Sequence, residues 1–187
     1  MIFKYGTDNL TVDKVINIAN NNLQAIICND ASKNIIDSRK RVETMANGNK
    51  AIYGINTGFG PLCDVQITPQ ETNKLQRNLL ITHAVGVGNP IDKELSKIMM
   101  ICKVHALCRG FSGVRLELIE RIIYFIENDL LPVVPEQGSV GASGDLAPLS
   151  HLFLPLIGEG ELWIGGQIID AKTILQEMKN GFLYYLF

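Results

Sequence analysis

The stretch "GSVGASGDLAPLSH", residues 138–151, repeats glycine at Gly138, Gly141 and Gly144 and sets Ser143 between Ala142 and Gly144. Asp145 and an apolar segment containing Pro148 follow at once. The plainest reading is that the glycines supply backbone angles closed to other residues. A phosphate cradle would need a helix amino end behind the loop, and Asp145 can open one. However, the spacing is GxxGxxG, no GK[ST] follows, Pro132 and Pro135 precede the loop where a strand is required, and Asp145 would repel phosphate. A serine-nucleophile elbow needs GxSxG, and Asp145 stands where the second glycine belongs. His151 lies further along the chain, but distance in sequence does not define a triad.

A fourth reading is chemical. In a tightly squeezed loop the amide nitrogen of Gly144, with no side chain to block it, can attack the carbonyl carbon of Ala142. One water leaves as a five-membered imidazolone closes. Ser143 then gives up its hydroxyl as a second water and becomes an exocyclic methylidene. The product is an electrophile built from the chain itself, with a helix amino end behind it to favour developing negative charge.

Outward from the loop, helical signals dominate. Thr11 can open a helix to about residue 22, with Val12, Val15, Ile16 and Ala19 on one face. A second runs from Ala31 to about Ala46 before Asn47-Gly48. "AIYGINTGFGPL" (51–62) reads as a short extended piece entering a structured loop. Thr68-Pro-Gln-Glu71 carries an N-cap, a proline at the first helical position and a capping-box glutamate. That helix runs past Leu75, Leu79 and Leu80 to His83 and ends near Gly86 or Gly88. Another spans roughly Lys93 to Leu107, and Ser112 can cap one from Gly113 to about Asn128. Residues 161–169 read as a hairpin turning on Gly165-Gly166. The fold class is mainly α with small β pieces.

Composition narrows the partners. The 187 residues suit one ordinary domain, 47% of them are hydrophobic, and the net charge of −2 gives no basic face for nucleic acid. No apolar run is long enough for a membrane span, and no signal segment opens the chain. Cys28, Cys63, Cys102 and Cys108 form no CxxC pair and no metal-ligand spacing, so they read as reduced thiols of a cytoplasmic protein without a metal.

Several segments, in order, resemble the aromatic amino acid ammonia-lyases and aminomutases that carry the 4-methylidene-imidazol-5-one (MIO) group. "YGINTGFG" (53–60) is similar to the family's catalytic tyrosine loop, and "LQRNLLITHAVGVG" (75–88) to its substrate-pocket helix. "LCRGFSGVR" (107–115), "GSVGASGDLAPLSH" and "LIGEGEL" (156–162) match the segments that follow, the second of these nearly residue for residue. The resemblance covers about Leu10 to Lys179. Thr82-His83-Ala84 and the "RGFSG" run resemble the histidine-selective branch; Cys108 stands where serine is commoner.

The resemblance implies elimination of ammonia from L-histidine to give trans-urocanate, with the tyrosine- or phenylalanine-selective lyases and aminomutases as alternatives. It implies MIO formed autocatalytically from Ala142, Ser143 and Gly144, with no external cofactor. Tyr53 is implied as the base for the β-proton, although a free tyrosine titrates at about 10 and needs its surroundings to lower that. The residue-level alternative is a half-buried loop tyrosine. His83 is implied as a substrate contact; by itself a lone histidine on an apolar helix is as well read as a satisfied core residue. Gly60 and Asp145 are implied as loop supports, the latter as a helix cap. His105 and His151 read as structural. Family members are far longer homotetramers, and their remaining pocket residues come from a later region. Residues 1–180 therefore read as an incomplete MIO-bearing domain with little activity alone, residues 181–187 as an atypical apolar tail, and a non-catalytic remnant as the rival account.

Overall fold

A computed structural model describes residues 2–141 and 144–177, apart from the side chains of Pro69, Gln70 and Glu177. Ala142, Ser143 and the tail 181–187 lie outside the described residues.

The order of elements is β1 (Phe3–Tyr5), α1 (Val12–Ala19), β2 (Ala25–Ile27), α2 (Asn29–Ala46), α3 (Pro69–His83), β3 (Val87–Pro90), α4 (Lys93–Leu107), α5 (Leu116–Glu127), β4 (Leu131–Pro132), β5 (Pro135–Gln137), α6 (Leu146–Phe153), β6 (Glu161–Ile164), β7 (Gln167–Asp170) and α7 (Ala171–Glu177). Short 3-10 turns lie at Gly60–Leu62 and Leu154–Ile157. The mainly helical class expected from the sequence is what the structure has.

The core lies along α4 and α5. Met100, Ile101 and Val104 of α4 meet Ile119, Ile122, Phe125 and Ile126 of α5, all buried. Each such side chain contributes about 1.5–3 kcal/mol by leaving water. Thr11 caps α1 by accepting from the Lys14 N–H, and α1 packs on α4 through Val15 and Ile18. After α5 the chain reverses at Asp129, in the left-handed region at φ 51°, where its carboxylate accepts from the buried Lys97 ammonium at 2.6 Å.

The small sheets are edge pieces. β1 and β2 pair in parallel with Phe3 and Tyr5 facing inward, a non-local pairing that leaves no local pattern to read. Pro132 and Pro135, which argue against central strands, sit in two short outer strands, β4 beside β6 and β5 beside β3. The hairpin β6–β7 turns at Gly165-Gly166 as its sequence indicates.

Two local expectations give way. The helix expected after Ser112, α5, begins at Leu116, not Gly113, because Gly113 is left-handed at φ 65° and its N–H is held by Ser38 Oγ of α2 at 3.1 Å. Residues 51–62 form no strand, only a bridge between Thr57 and Gln66.

The first strand is locked by Gly6, at φ 79°, whose N–H donates to His105 Nδ1 at 3.2 Å. A Cβ there would overlap the Cys108 carbonyl. Gly6→Ala is therefore expected to destabilise the chain by about 2 kcal/mol or more, combining backbone strain with overlap. Urea unfolding checks this; an unshifted midpoint would refute the packing described.

Candidate active site

The resemblance assigned roles to residues on three stretches, and the structure joins two of them. α3 begins at the capping box foreseen in the sequence: Thr68 Oγ1 accepts the Glu71 N–H while Glu71 Oε2 accepts the Thr68 N–H at 3.0 Å. The helix ends at His83 with Ala84 as its C-cap. His83 is half-buried, and its Nδ1 lies 2.8 Å from the Leu79 carbonyl oxygen. A carbonyl only accepts, so Nδ1 carries the proton and a neutral His83 presents Nε2 as a bare acceptor.

Beyond His83 the chain runs into β3, which pairs antiparallel with β5 through Val87↔Gln137 and Pro90↔Pro135. β5 feeds Gly138, and the 138–145 loop starts there. Gly138 has φ 133°, and a Cβ on it would stand 2.9 Å from Gly86 Cα. On the far side of the loop α6 packs against α3. Its His151 accepts the Gly86 N–H on Nε2 at 2.9 Å. Arg77 of α3 and Glu159, past the Leu154–Ile157 turn, form an ion pair between the same two regions. α3 and the glycine loop are thus one unit.

Asp145 does not cap α6 with its side chain. It occupies the N-cap position in the left-handed region at φ 60°, and Ser139 Oγ donates to its Oδ1. The pair Ser139–Asp145 closes the loop across its base. Gly144, also left-handed at φ 73°, and Gly141 face open space: a Cβ at either would meet nothing within 4 Å. Neither glycine is crowded, which is compatible with the group the resemblance implies at this loop.

Tyr53 occupies a different loop. Its side chain is 62% exposed and meets the Phe59 ring edge-on at 5.6 Å between centroids. The loop is held by the buried Asn56, which accepts the Ile52 N–H at 2.8 Å and donates to the Lys50 carbonyl at 3.1 Å. Thr57 is buried beside it, and Gln66 donates to the Gly48 carbonyl. Gly54 and Gly60 are left-handed, and Gly60 opens the 3-10 turn. These contacts hold the loop internally and to residues 48–52.

Reading the sequence overlooked Ser139, Asn56 and Gly86, and it left His151 without a function. Asn56 and Ser139 gave no signal beyond their place in the quoted segments. His151 gave one, since a histidine in the helix directly behind the loop can face what the loop faces.

The family's sequence model, described as aromatic amino acid lyase, matches residues 10–183. The histidine ammonia-lyase of Staphylococcus saprophyticus is 40% identical over 180 residues, which are 96% of this chain and 36% of that protein. The crystal structure of histidine ammonia-lyase from Trypanosoma cruzi superposes with a TM-score of 0.85 at 33% identity, covering 95% of this chain and 35% of that one. The tyrosine aminomutase of Streptomyces globisporus superposes with a TM-score of 0.86 at 30% identity, covering 95% and 33%. This chain spans about a third of the length of these relatives, and it belongs to the aromatic amino acid lyase family.

Asn56→Ala removes both side-chain hydrogen bonds that Asn56 makes in the Tyr53 loop and is expected to loosen it by about 1–3 kcal/mol, with little effect on the α4–α5 core. Limited proteolysis should then cut within residues 53–66 faster while the global unfolding midpoint changes less. Unchanged cleavage there would show that Asn56 does not hold the loop.

Proposed function

We propose that this member of the family carries the electrophile-forming and pocket-helix portion of an ammonia-lyase that converts L-histidine to trans-urocanate. The observation carrying the reading is the joining of His83, by way of Gly86 and β3–β5, to a glycine loop whose sequence can cyclise. The 40% identity to a histidine ammonia-lyase over nearly the whole chain supports it.

Ala142, Ser143 and Gly144 would form MIO autocatalytically, and the group supplies an electrophile that turns the substrate amine into a better leaving group. The chain's own residues do the rest. Ser139 and Asp145 hold the base of the loop closed, and the left-handed Gly144 and Asp145 turn the backbone sharply before α6. The amino end of α6 lies next to the loop, where its dipole favours negative charge. His83 Nε2 accepts an N–H from the substrate imidazole and so orients the ring. Tyr53, as the phenolate, would take the β-proton on its phenolic oxygen.

The exposed apolar side chains of Val85, Val87 and Phe111 support assembly as a homo-oligomer, a tetramer as in the family. Four free thiols support a reducing, cytoplasmic setting. The fold likeness to a tyrosine aminomutase keeps one other reading in play, a tyrosine substrate.

Peptide mapping across 138–151 is expected to show the loss of two waters in the native chain and none in Ser143→Ala; an unmodified native peptide leaves the non-catalytic reading. In a turnover panel L-histidine should be preferred over L-tyrosine and L-phenylalanine. His83→Leu should lower kcat/KM for histidine by roughly tenfold, as expected for losing one hydrogen bond to the substrate. Preference for tyrosine in that panel would move the assignment to the aminomutase side.

A further inference from the structure

We propose that His151 is a positioning residue: as a neutral imidazole it fixes Gly86, and through Gly86 it sets the spacing between His83 and the 138–145 loop. Its significance for catalysis rests on the lyase reading above, but the clamp itself does not.

Gly86 is confined from three directions. A Cβ on it would stand 3.0 Å from His151 Nε2, 3.1 Å from His151 Cδ2 and 3.1 Å from Pro135 Cβ of β5. On the loop side, Gly138 comes so near that its own Cβ would lie 2.9 Å from Gly86 Cα. The polar tie among these contacts is the Gly86 N–H donated to His151 Nε2 at 2.9 Å. On one side of Gly86 the chain leads back to His83 at the end of α3; on the other it enters β3, paired with the strand that feeds the loop. Fixing Gly86 therefore fixes the pocket helix relative to the loop.

Accepting on Nε2 places the proton of the neutral ring on Nδ1. A doubly protonated ring would turn an N–H toward the Gly86 N–H, and the bond would be lost. Burial lowers the pKa of His151 below its ordinary 6.5, which favours the accepting form. The charged groups on the surrounding elements are Glu71, Lys74 and Arg77 on α3, Glu136 on β5, Asp145 ahead of α6, and Glu159. Glu71 is committed to Thr68, Arg77 to Glu159, Asp145 to Ser139, and Glu136 to the Asn89 N–H. Burial, not any of these charges, sets the shift. Because the folded value lies below the unfolded one, the clamp's contribution is complete above 6.5 and is lost as pH falls through the folded value.

The test compares the native chain with His151→Gln, whose side-chain oxygen can accept near the Nε2 position, and His151→Leu, which cannot accept. Amide hydrogen exchange at Gly86 is expected to be roughly tenfold faster in His151→Leu and native-like in His151→Gln. The native chain should lose that protection on acidification, whereas His151→Gln should keep it. The fraction of peptide 138–151 lacking two waters should fall in His151→Leu and recover in His151→Gln. Equal Gly86 protection in all three proteins would overturn the clamp. Lost protection with an unchanged ring fraction would overturn the link between clamp and loop. A native chain that forms no ring sinks the lyase reading instead, and Gly86 exchange still judges the clamp. If His151→Leu does not fold, the pH arm of the native and His151→Gln proteins decides.

Discussion

Two backbones meet with no room for a side chain between them at Gly86 and Gly138, and the arrangement of the site follows from that approach. A single Cβ on Gly138 would push Gly86 away. The pairing of β3 with β5 would open next, since Val87↔Gln137 adjoins the contact directly. The end of α3 and the start of the glycine loop are remote in sequence. Loop closure over such a separation costs entropy that nearby packing must offset. The packing of α3 on α6, the Arg77–Glu159 pair and the His151 bond supply the reinforcement.

The scaffold beneath is of a different kind. α4 and α5 bury apolar side chains on one another, and the Lys97–Asp129 pair ties the start of α4 to the turn after α5. A buried ammonium left without its carboxylate would carry a large desolvation cost, so Asp129 keeps its left-handed turn to serve Lys97. None of the described residues proposed for chemistry belongs to this core. Tyr53, Gly144 and Asp145 lie in loops, and His83 at a helix end. A rigid interior that presents reactive groups on its connections is the usual division of labour in enzymes.

What the sequence made legible was local. Thr68-Pro-Gln-Glu71 contains its own hydrogen-bonding partners, so α3 starts where its residues say. The same holds for the span of α4 and for the Gly165-Gly166 hairpin. What it concealed depended on distant partners. Gly113 looks like a helix residue after Ser112, yet Ser38 of α2 holds its N–H and Val42 takes the place of a side chain, which delays α5 to Leu116. Asp145 has the right identity for a cap, but its left-handed backbone and the hydroxyl of Ser139 commit its carboxylate elsewhere. At the site, the glycine loop and His83 could be picked out as types; that they form one unit through Gly86 could not.

The three histidines show how much depends on which ring nitrogen is engaged, a detail no residue pattern encodes. His105 accepts the Gly6 N–H on Nδ1 and His151 accepts the Gly86 N–H on Nε2, so each neutral ring keeps its proton on the remaining nitrogen. Both have pKa values lowered chiefly by burial, the direction that keeps an accepting imidazole neutral. His83 is reversed: its Nδ1–H is committed to Leu79, and the remaining nitrogen is bare. An N–H donor outside the chain needs a free acceptor nitrogen, and His105 and His151 have committed theirs to Gly6 and Gly86. Of the three, His83 alone offers that acceptor, at the end of the helix that the other contacts hold against the loop.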